Sequence, residues 1–318
     1  MAFNPTATSF DAGNALYLAL ASELAYCDEA ALKAGIQRIL GLDPARTIAF
    51  GRNSTEGFVA ADDQKIILAF RGSQPPTSDN GRRDWLRDIK QIPASLGKYA
   101  DSGPLDAQIH LGFAEGMHDV VAPIVSALFR LDPSSSLPLW ITGHSLGGAL
   151  AVAAALFFRF DRQLRRDLQG LYTYGQPRIA GPSLAKALNQ ELGARYQRVV
   201  NHLDVVPRVP SRDLFDDAGV IQWFDDNGNL NPPTGPTFAD FMKDSLEKIL
   251  SGEAPHNPLA GILSAFRGPL PNPLADLTHL LTDHLLRLLL VAHPPADNPK
   301  SYLAKLATLA GQQLPPAP

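Results

Sequence analysis

The chain has 318 residues, of which 45% are hydrophobic and 19% are charged, and its formal net charge is −4. This balance is typical of a globular protein, and the length is sufficient for one large hydrophobic core or two smaller ones. The sequence contains no long basic run, which argues against nucleic-acid binding, because that function needs a concentrated Lys/Arg surface.

The cysteine content and the N-terminal residues bear on the cellular compartment. Cys27 is the only cysteine, so no intrachain disulfide is possible, and packing is its expected role. Residues 1–10 have neither the basic nor the apolar region of a signal peptide, and no transmembrane segment is predicted. Cytoplasmic localisation is therefore the default expectation, and secretion stays open because a removed leader would leave no trace.

Helical and strand patterns alternate over the first two hundred residues. Residues 12–34 show helical periodicity, and residues 47–50 and 57–61 have β character. The continuous apolar run at 65–70 predicts a buried strand. Further strands are predicted at 107–111, 139–142, 170–174 and 195–201, with helices near 120–128 and at 182–192. This order predicts a mostly parallel sheet with crossover helices.

The pattern changes after Pro210. Residues 221–228 predict a hairpin with an Asn-Gly turn, and residues 232–275 are rich in proline, with an amphipathic helix near 238–250. We therefore interpret residues 1–318 as a single domain, with an insertion or cap at 211–275.

The segment around Ser145 indicates a nucleophile. A Gly-x-Ser-x-Gly match alone is weak, but here a strand of four residues leads into it and a helix rich in alanine follows. Gly143 and Gly147 leave room for a strained turn that exposes the Ser145 hydroxyl. The same turn aims the Leu146 backbone N–H and the helix N-terminus at a developing oxyanion. The alternative is a structural serine in an ordinary strand-to-helix turn.

An alcohol nucleophile needs a base and an acid, which on such a sheet follow the serine in the order Asp or Glu, then His. Asp204 ends an apolar strand and is our candidate acid, with turn capping as the alternative. Asp213, Asp216 and Asp217 come later, in a segment that we predict to be exposed.

Four histidines follow Asp204, and the residues alone do not decide between them. They are His256, His279, His284 and His293. His284 shares a helical stripe with several leucines, which favours it, but a buried histidine in the core would fit the same pattern.

A set of motifs now resembles the class 3 lipases of the α/β-hydrolase superfamily, which include filamentous-fungal triacylglycerol lipases. The matching pieces, in the family's order, are "ILAFRGS" (67–73), "DWLRDI" (84–89), "HLGF" (110–113), "ITGHSLGGALA" (141–151), "TYGQPRIAG" (173–181), "VVNHLDVVPRVP" (199–210) and "DH" (283–284), with "SYL" (301–303) later. The resemblance implies an α/β-hydrolase fold, with a helical or hairpin insertion between the triad acid and the histidine.

The resemblance also implies residue roles. Ser145 is then the nucleophile, Asp204 the acid and His284 the base, while Leu146 and Ser73 supply the oxyanion hole. Arg71 is expected to form a structural charge cluster with Asp84 and Asp88.

The cap is where this chain departs from the family. The loop after "RGS", where the fungal lipases carry a hydrophobic lid, is polar here and contains two prolines. We therefore expect residues 238–266, or the helix after them, to cover the site, although their leucines could equally belong to the core.

The expected function is hydrolysis of carboxylic esters, with acylglycerols as the leading substrate class and no metal or organic cofactor. A phospholipase A1, a feruloyl-type or other short-chain esterase, a transacylase and an inactive lipid-binding module stay open as alternatives. A lipid or small ester is the expected partner, and transient contact with a lipid interface is compatible with it.

Overall fold

The computed structural model describes residues 3–72, 92–201, 204, 206–210, 214–225, 228–231 and 302–314. Their centre is an eight-stranded sheet. In the order in which they lie side by side, its strands are β1 (Thr47–Arg52), β2 (Thr55–Ala61), β3 (Ile66–Phe70), β6 (Leu139–His144), β7 (Leu168–Tyr174), β8 (Tyr196–Asn201), β9 (Val220–Phe224) and β10 (Leu230–Asn231). The pairings from β3 to β9 are parallel and the outer ones are antiparallel, as in an α/β-hydrolase fold. The predicted fold class is confirmed.

The N-terminal region forms two helices where periodicity predicts one. Helix α1 (Ala12–Leu24) is followed by α2 (Glu29–Leu40). The break occurs because the Asp28 side chain accepts a hydrogen bond from the Ala31 N–H at 2.9 Å, which caps a new helix. The prediction of one helix over residues 12–34 is therefore wrong.

Alternation along the strands separates two hydrophobic layers. In β3, Ile66, Leu68 and Phe70 face one layer, whereas Ile67 and Ala69 face the other. All five side chains are fully buried, which explains the continuous apolar run in the sequence.

The helices cover both faces of the sheet. Helices α3 (Leu111–Leu131), α4 (Leu146–Phe160) and α5 (Pro182–Leu192) belong to the first layer, which also receives the small separate ribbon of β4 (Pro93–Ser95) and β5 (Gln108–His110). Helices α1, α2 and the C-terminal α6 (Tyr302–Leu309) cover the second. Within the described part of the chain, no helix combines the length and hydropathy needed to cross a membrane.

The hairpin predicted at 221–228 is present as the pair β9–β10. Its first strand lies beside β8 in the main sheet, so this part of the predicted insertion contributes directly to the central fold. Residues 232–275, including the proposed cap at 238–266, lie outside the described residues.

Candidate active site

Ser145 lies in a strained turn between a buried strand and a helix. Its φ of 57° and ψ of −127° lie in a region that residues with a Cβ rarely adopt. The Ser145 N–H donates to the Tyr174 carbonyl of the neighbouring strand at 2.8 Å. The residue is 3% exposed, so the turn is held by the sheet on one side and by α4 on the other.

The two glycines of the turn are required by close packing. A Cβ on Gly143 would lie 2.2 Å from the Gly147 carbonyl oxygen, and a Cβ on Gly147 would lie 2.5 Å from the Phe70 carbonyl oxygen. Both contacts involve backbone atoms, which cannot rotate away as a side chain can. The turn therefore tolerates no side chain at either position without moving β3 or α4.

Leu146 is the first residue of α4. Its backbone N–H lies in the first turn of the helix, where no preceding helical carbonyl is available to accept a hydrogen bond from it. Such amides, with the positive end of the helix dipole, form a site that favours an anion. Ser73, the other residue expected to supply an oxyanion donor, lies outside the described residues.

Gly72, directly before Ser73, is fixed by Tyr26, which lies two residues beyond the end of α1. The Gly72 backbone N–H donates to the Tyr26 hydroxyl oxygen, which also lies 3.2 Å from His144 Nδ1. A Cβ on Gly72 would lie 2.2 Å from that oxygen. Burial raises the pKa of Tyr26 above its ordinary value, so its hydroxyl keeps its proton. Tyr26 thus connects the ends of β3 and β6.

Asp204 lies at the end of β8 and is fully buried. Its Oδ1 accepts the Val206 N–H at 3.0 Å, and its backbone N–H donates to the Asn201 carbonyl at 2.8 Å. A buried carboxylate is costly unless it accepts hydrogen bonds. Asp204 therefore caps the turn that follows it, and this capping is compatible with a second role.

Tyr302 of α6 also contacts Asp204. Its hydroxyl donates to Asp204 Oδ2 and accepts the Asn201 N–H at 3.1 Å. Burial and the adjacent carboxylate raise the pKa of Tyr302 well above its ordinary value. The Tyr302 ring also contacts the His144 ring, with centroids 5.9 Å apart. One side chain therefore touches both the residue before Ser145 and the carboxylate of Asp204.

A buried ionic cluster lies behind the Asp204 segment. Asp217 pairs with Arg178 and with Arg198, and the three side chains are 14%, 9% and 2% exposed. The prediction that Asp217 lies in an exposed segment is therefore wrong. Its carboxylate pairs with two guanidinium groups, so Asp204 stays our candidate acid. Asp216 is half-buried, and Asp213 lies outside the described residues.

Arg71 forms an ion pair within the described part of the chain. Arg71 pairs with Glu56 of β2, which is half exposed. Asp84 and Asp88, its expected partners, lie outside the described residues. The pair joins the end of β3 to the strand beside it.

The candidate base, His284, and its alternatives His256, His279 and His293 all lie outside the described residues. Cys27 is partly buried against the second hydrophobic layer, as expected for a packing residue. Burial and the neighbouring carboxylates of Asp28 and Glu23 raise the pKa of the Cys27 thiol, which disfavours the nucleophilic thiolate. Among the described residues, no cluster of three His, Cys, Asp or Glu side chains could hold a metal ion.

Sequence reasoning missed Tyr26 and the ionic cluster. Arg198 offered a signal, since a cation between Gln197 and Val199 of a predicted parallel strand demands a buried partner. The residues around Tyr26 do not predict its contacts, because its partners are Gly72, 46 positions away, and His144, 118 positions away.

The chain is similar to known lipases over about half of its length. The family model "Lipase (class 3)" matches residues 67–214, which include Ser145 and Asp204. A lipase of Rhizomucor miehei is 32% identical over 180 residues, which cover 54% of this chain and 46% of that protein. A secreted mono- and diacylglycerol lipase of Fusarium solani is 33% identical, over 48% of this chain and 42% of that protein.

A solved lipase structure has a fold similar to that of this chain. It is a triacylglycerol lipase whose catalytic centre is described as a serine protease triad, and it is 28% identical with a TM-score of 0.52. The match covers 70% of this chain and 84% of that structure. In sequence, however, this chain spans less than half the length of the two curated relatives.

Proposed function

We propose that this chain is a member of the class 3 lipase family of the α/β-hydrolase superfamily, to which it is similar, and that it is a serine carboxylic-ester hydrolase that acts on acylglycerols. The observation that carries this proposal is the strained turn at Ser145, at the carboxyl end of β6 and the N-terminus of α4. Asp204 lies at the carboxyl end of β8, on the same edge of the sheet.

The proposed reaction proceeds through an acyl-enzyme. His284 takes the proton of Ser145 Oγ while that oxygen attacks the ester carbonyl, and Asp204 stabilises the imidazolium that forms. The imidazolium then gives its proton to the leaving alcohol. Water, activated by the same histidine, attacks the acyl group and releases the fatty acid with Ser145 restored.

The developing oxyanion is stabilised by backbone amides. The Leu146 N–H lies at the N-terminus of α4, and we propose the Ser73 N–H as the second donor. Gly72 precedes Ser73 and is held by Tyr26, so the described part of this loop has the fixed position that a preorganised oxyanion hole requires.

Acylglycerols are proposed because relatives of this chain are named lipases, including a mono- and diacylglycerol lipase. Transient contact with a lipid interface is part of the same proposal. A phospholipase A1, a short-chain esterase and an inactive lipid-binding module remain as outcomes of the test.

The decisive experiment is hydrolysis of p-nitrophenyl esters from acetyl to palmitoyl, with emulsified triacylglycerol in parallel and Ser145→Ala as control. We expect turnover that needs Ser145 and favours long chains. Turnover confined to short acyl chains would indicate an esterase. Lipid binding without turnover, and without labelling by a serine-directed phosphonate, would contradict the proposal.

The base is tested by three matched variants. His284→Ala should abolish turnover, whereas His279→Ala and His293→Ala should retain it, because only one imidazole can accept the Ser145 proton. Loss of turnover in His293→Ala alone would show that the base has been assigned to the wrong histidine.

A further inference from the structure

The turn after Asp204 is anchored by side chains from other parts of the chain. The carbonyl oxygens of Pro207, Arg208 and Pro210 accept hydrogen bonds from two arginines. Arg178 Nη1 donates to the Arg208 carbonyl and, at 2.8 Å, to that of Pro210. Arg198 Nη2 donates to the Pro207 carbonyl at 2.5 Å.

Both arginines are fixed by the central sheet. Arg198 is a residue of β8 itself, and Arg178 follows β7 in the segment that carries Gln176 and Pro177. The Arg178 backbone N–H donates to the Val209 carbonyl at 2.8 Å, so main chain and side chain hold the same turn. A planar guanidinium with several donors suits this task, because it reaches two carbonyls at once.

Asp217 keeps the two guanidinium groups in place. Its carboxylate pairs with Arg178 Nε at 2.9 Å and with Arg198 Nη1. The Asp216 N–H donates to the Ala180 carbonyl at 2.8 Å, which fixes the segment that carries Asp217. Because the three side chains are almost fully buried, removal of the negative charge would leave two buried cations without that acceptor.

The turn is coupled directly to the Asp204 carboxylate. The Val206 N–H, at the start of the turn, donates to Asp204 Oδ1 at 3.0 Å. A shift of residues 206–210 therefore changes the orientation of the carboxylate, although neither Arg178 nor Asp217 needs to touch the substrate.

We propose that Arg178, Arg198 and Asp217 are positioning residues for the triad acid, and that they act by holding the turn 206–210. This inference rests on the proposed function for its catalytic consequence. A displaced carboxylate would orient the base poorly, and a displacement of about 1 Å in such a group can reduce the rate roughly 10²-fold.

The test compares Asp217→Asn with Asp132→Asn. Asp132 forms a buried ion pair with Arg166 at the end of α3, near the start of β6 and so at the edge of the sheet opposite Ser145. Each variant removes the negative charge of a buried aspartate that pairs with arginine. We expect kcat of Asp217→Asn to fall by about 10²-fold, with KM changed less than about twofold, and kcat of Asp132→Asn to stay unchanged.

Titration with a serine-directed phosphonate separates positioning from loss of folded protein. In Asp217→Asn the labelled fraction should stay complete while the labelling rate falls. If instead a smaller fraction of Asp217→Asn molecules were labelled, and those molecules were labelled at the wild-type rate, the inference would be overturned. The cluster would then contribute to stability alone. Arg178→Lys provides a second variant, which keeps the charge and loses the planar fork, and its kcat should fall as well.

Hydrogen exchange gives a readout that needs no turnover. The amides of Val206, Arg208 and Val209 should exchange faster in Asp217→Asn than in Asp132→Asn, while those of residues 139–148 should not. Unchanged exchange in the turn would refute the inference even if the wild type hydrolysed no ester. Faster exchange without any Ser145-dependent turnover would instead place the failure in the proposed function.

Discussion

At Ser145 the backbone adopts a conformation that costs free energy for every residue type except glycine. With φ at 57° and ψ at −127°, the Cβ of the serine crowds its own backbone. The turn keeps this conformation because the Tyr174 carbonyl accepts its N–H and because α4 begins at the next residue. The strain is thus supported by the sheet and the helix on either side.

This strain predicts a difference between two inactive variants. Ser145→Gly should be more stable than Ser145→Ala by about 1 kcal/mol, because glycine relieves strain of about 1–3 kcal/mol and loses part of that gain through its greater flexibility when unfolded. Urea denaturation of the two variants measures the difference. Equal unfolding midpoints and slopes would show that the turn is unstrained.

Among individual residues, the sequence predicts those whose chemistry is local. The strained turn at Ser145 could be predicted because two glycines and a strand-to-helix transition surround the serine within a few positions. Asp217 could not, because its burial depends on two arginines that are 39 and 19 positions earlier in the chain.

At the level of elements, the junction between β6 and α4 depends on how closely β3 approaches it. A Cβ on Gly147 would meet the Phe70 carbonyl oxygen at 2.5 Å and the Arg71 carbonyl carbon at 2.8 Å. The end of β3 therefore packs directly on the first turn of α4. This contact sets the distance between Leu146 and the loop that continues to Ser73.

Gly147→Ala should therefore lower both stability and activity. We expect a loss of about 2–3 kcal/mol in the free energy of unfolding, because two backbone segments must move apart. Gly112→Ala in α3 is the matched control, since its Cβ would come no closer than 3.6 Å to the His110 ring. That variant should change stability by less than about 1 kcal/mol. Comparable losses in both variants by urea denaturation would contradict the packing argument.

Helices and strands could be predicted wherever buried residues recur with the period of a helix or follow one another in a buried strand. The apolar run of β3 and the exact helical span of α5 follow from this rule. The break between α1 and α2 does not, because apolar residues continue through it and only Asp28 marks the new helix.

Across the whole molecule, the two ends of the described chain meet on one face of the sheet. Helices α1 and α6 belong to the same hydrophobic layer, and α6 brings Tyr302 to Asp204, which is 98 positions earlier. Lys305, one turn later on α6, donates to Asn201 Oδ1 at 2.6 Å. The C-terminal helix is therefore part of the surroundings of the candidate acid. Spacing along the chain does not predict this contact, because residues 232–301 lie between the last strand and the helix in the sequence.

Tyr302→Phe tests whether this long-range contact matters for catalysis. The variant removes one donor from a buried carboxylate, so we expect a stability loss of about 1–3 kcal/mol and a fall in kcat of roughly tenfold or more. Tyr172→Phe is the control, because its hydroxyl bonds only the main chain of Asp11 and Ser9 among the described residues. It should lose stability and keep kcat.

The effect of Tyr302→Phe should also be independent of pH over the working range. Because burial and Asp204 raise the pKa of Tyr302 well above its ordinary value of 10.0, the hydroxyl is a neutral donor at both pH 7 and pH 9. The ratio of wild-type to variant kcat should therefore be the same at these two values. A ratio that collapses toward one at pH 9 would mean that Tyr302 ionises there, and that the Asp204 contact is weaker than its geometry implies.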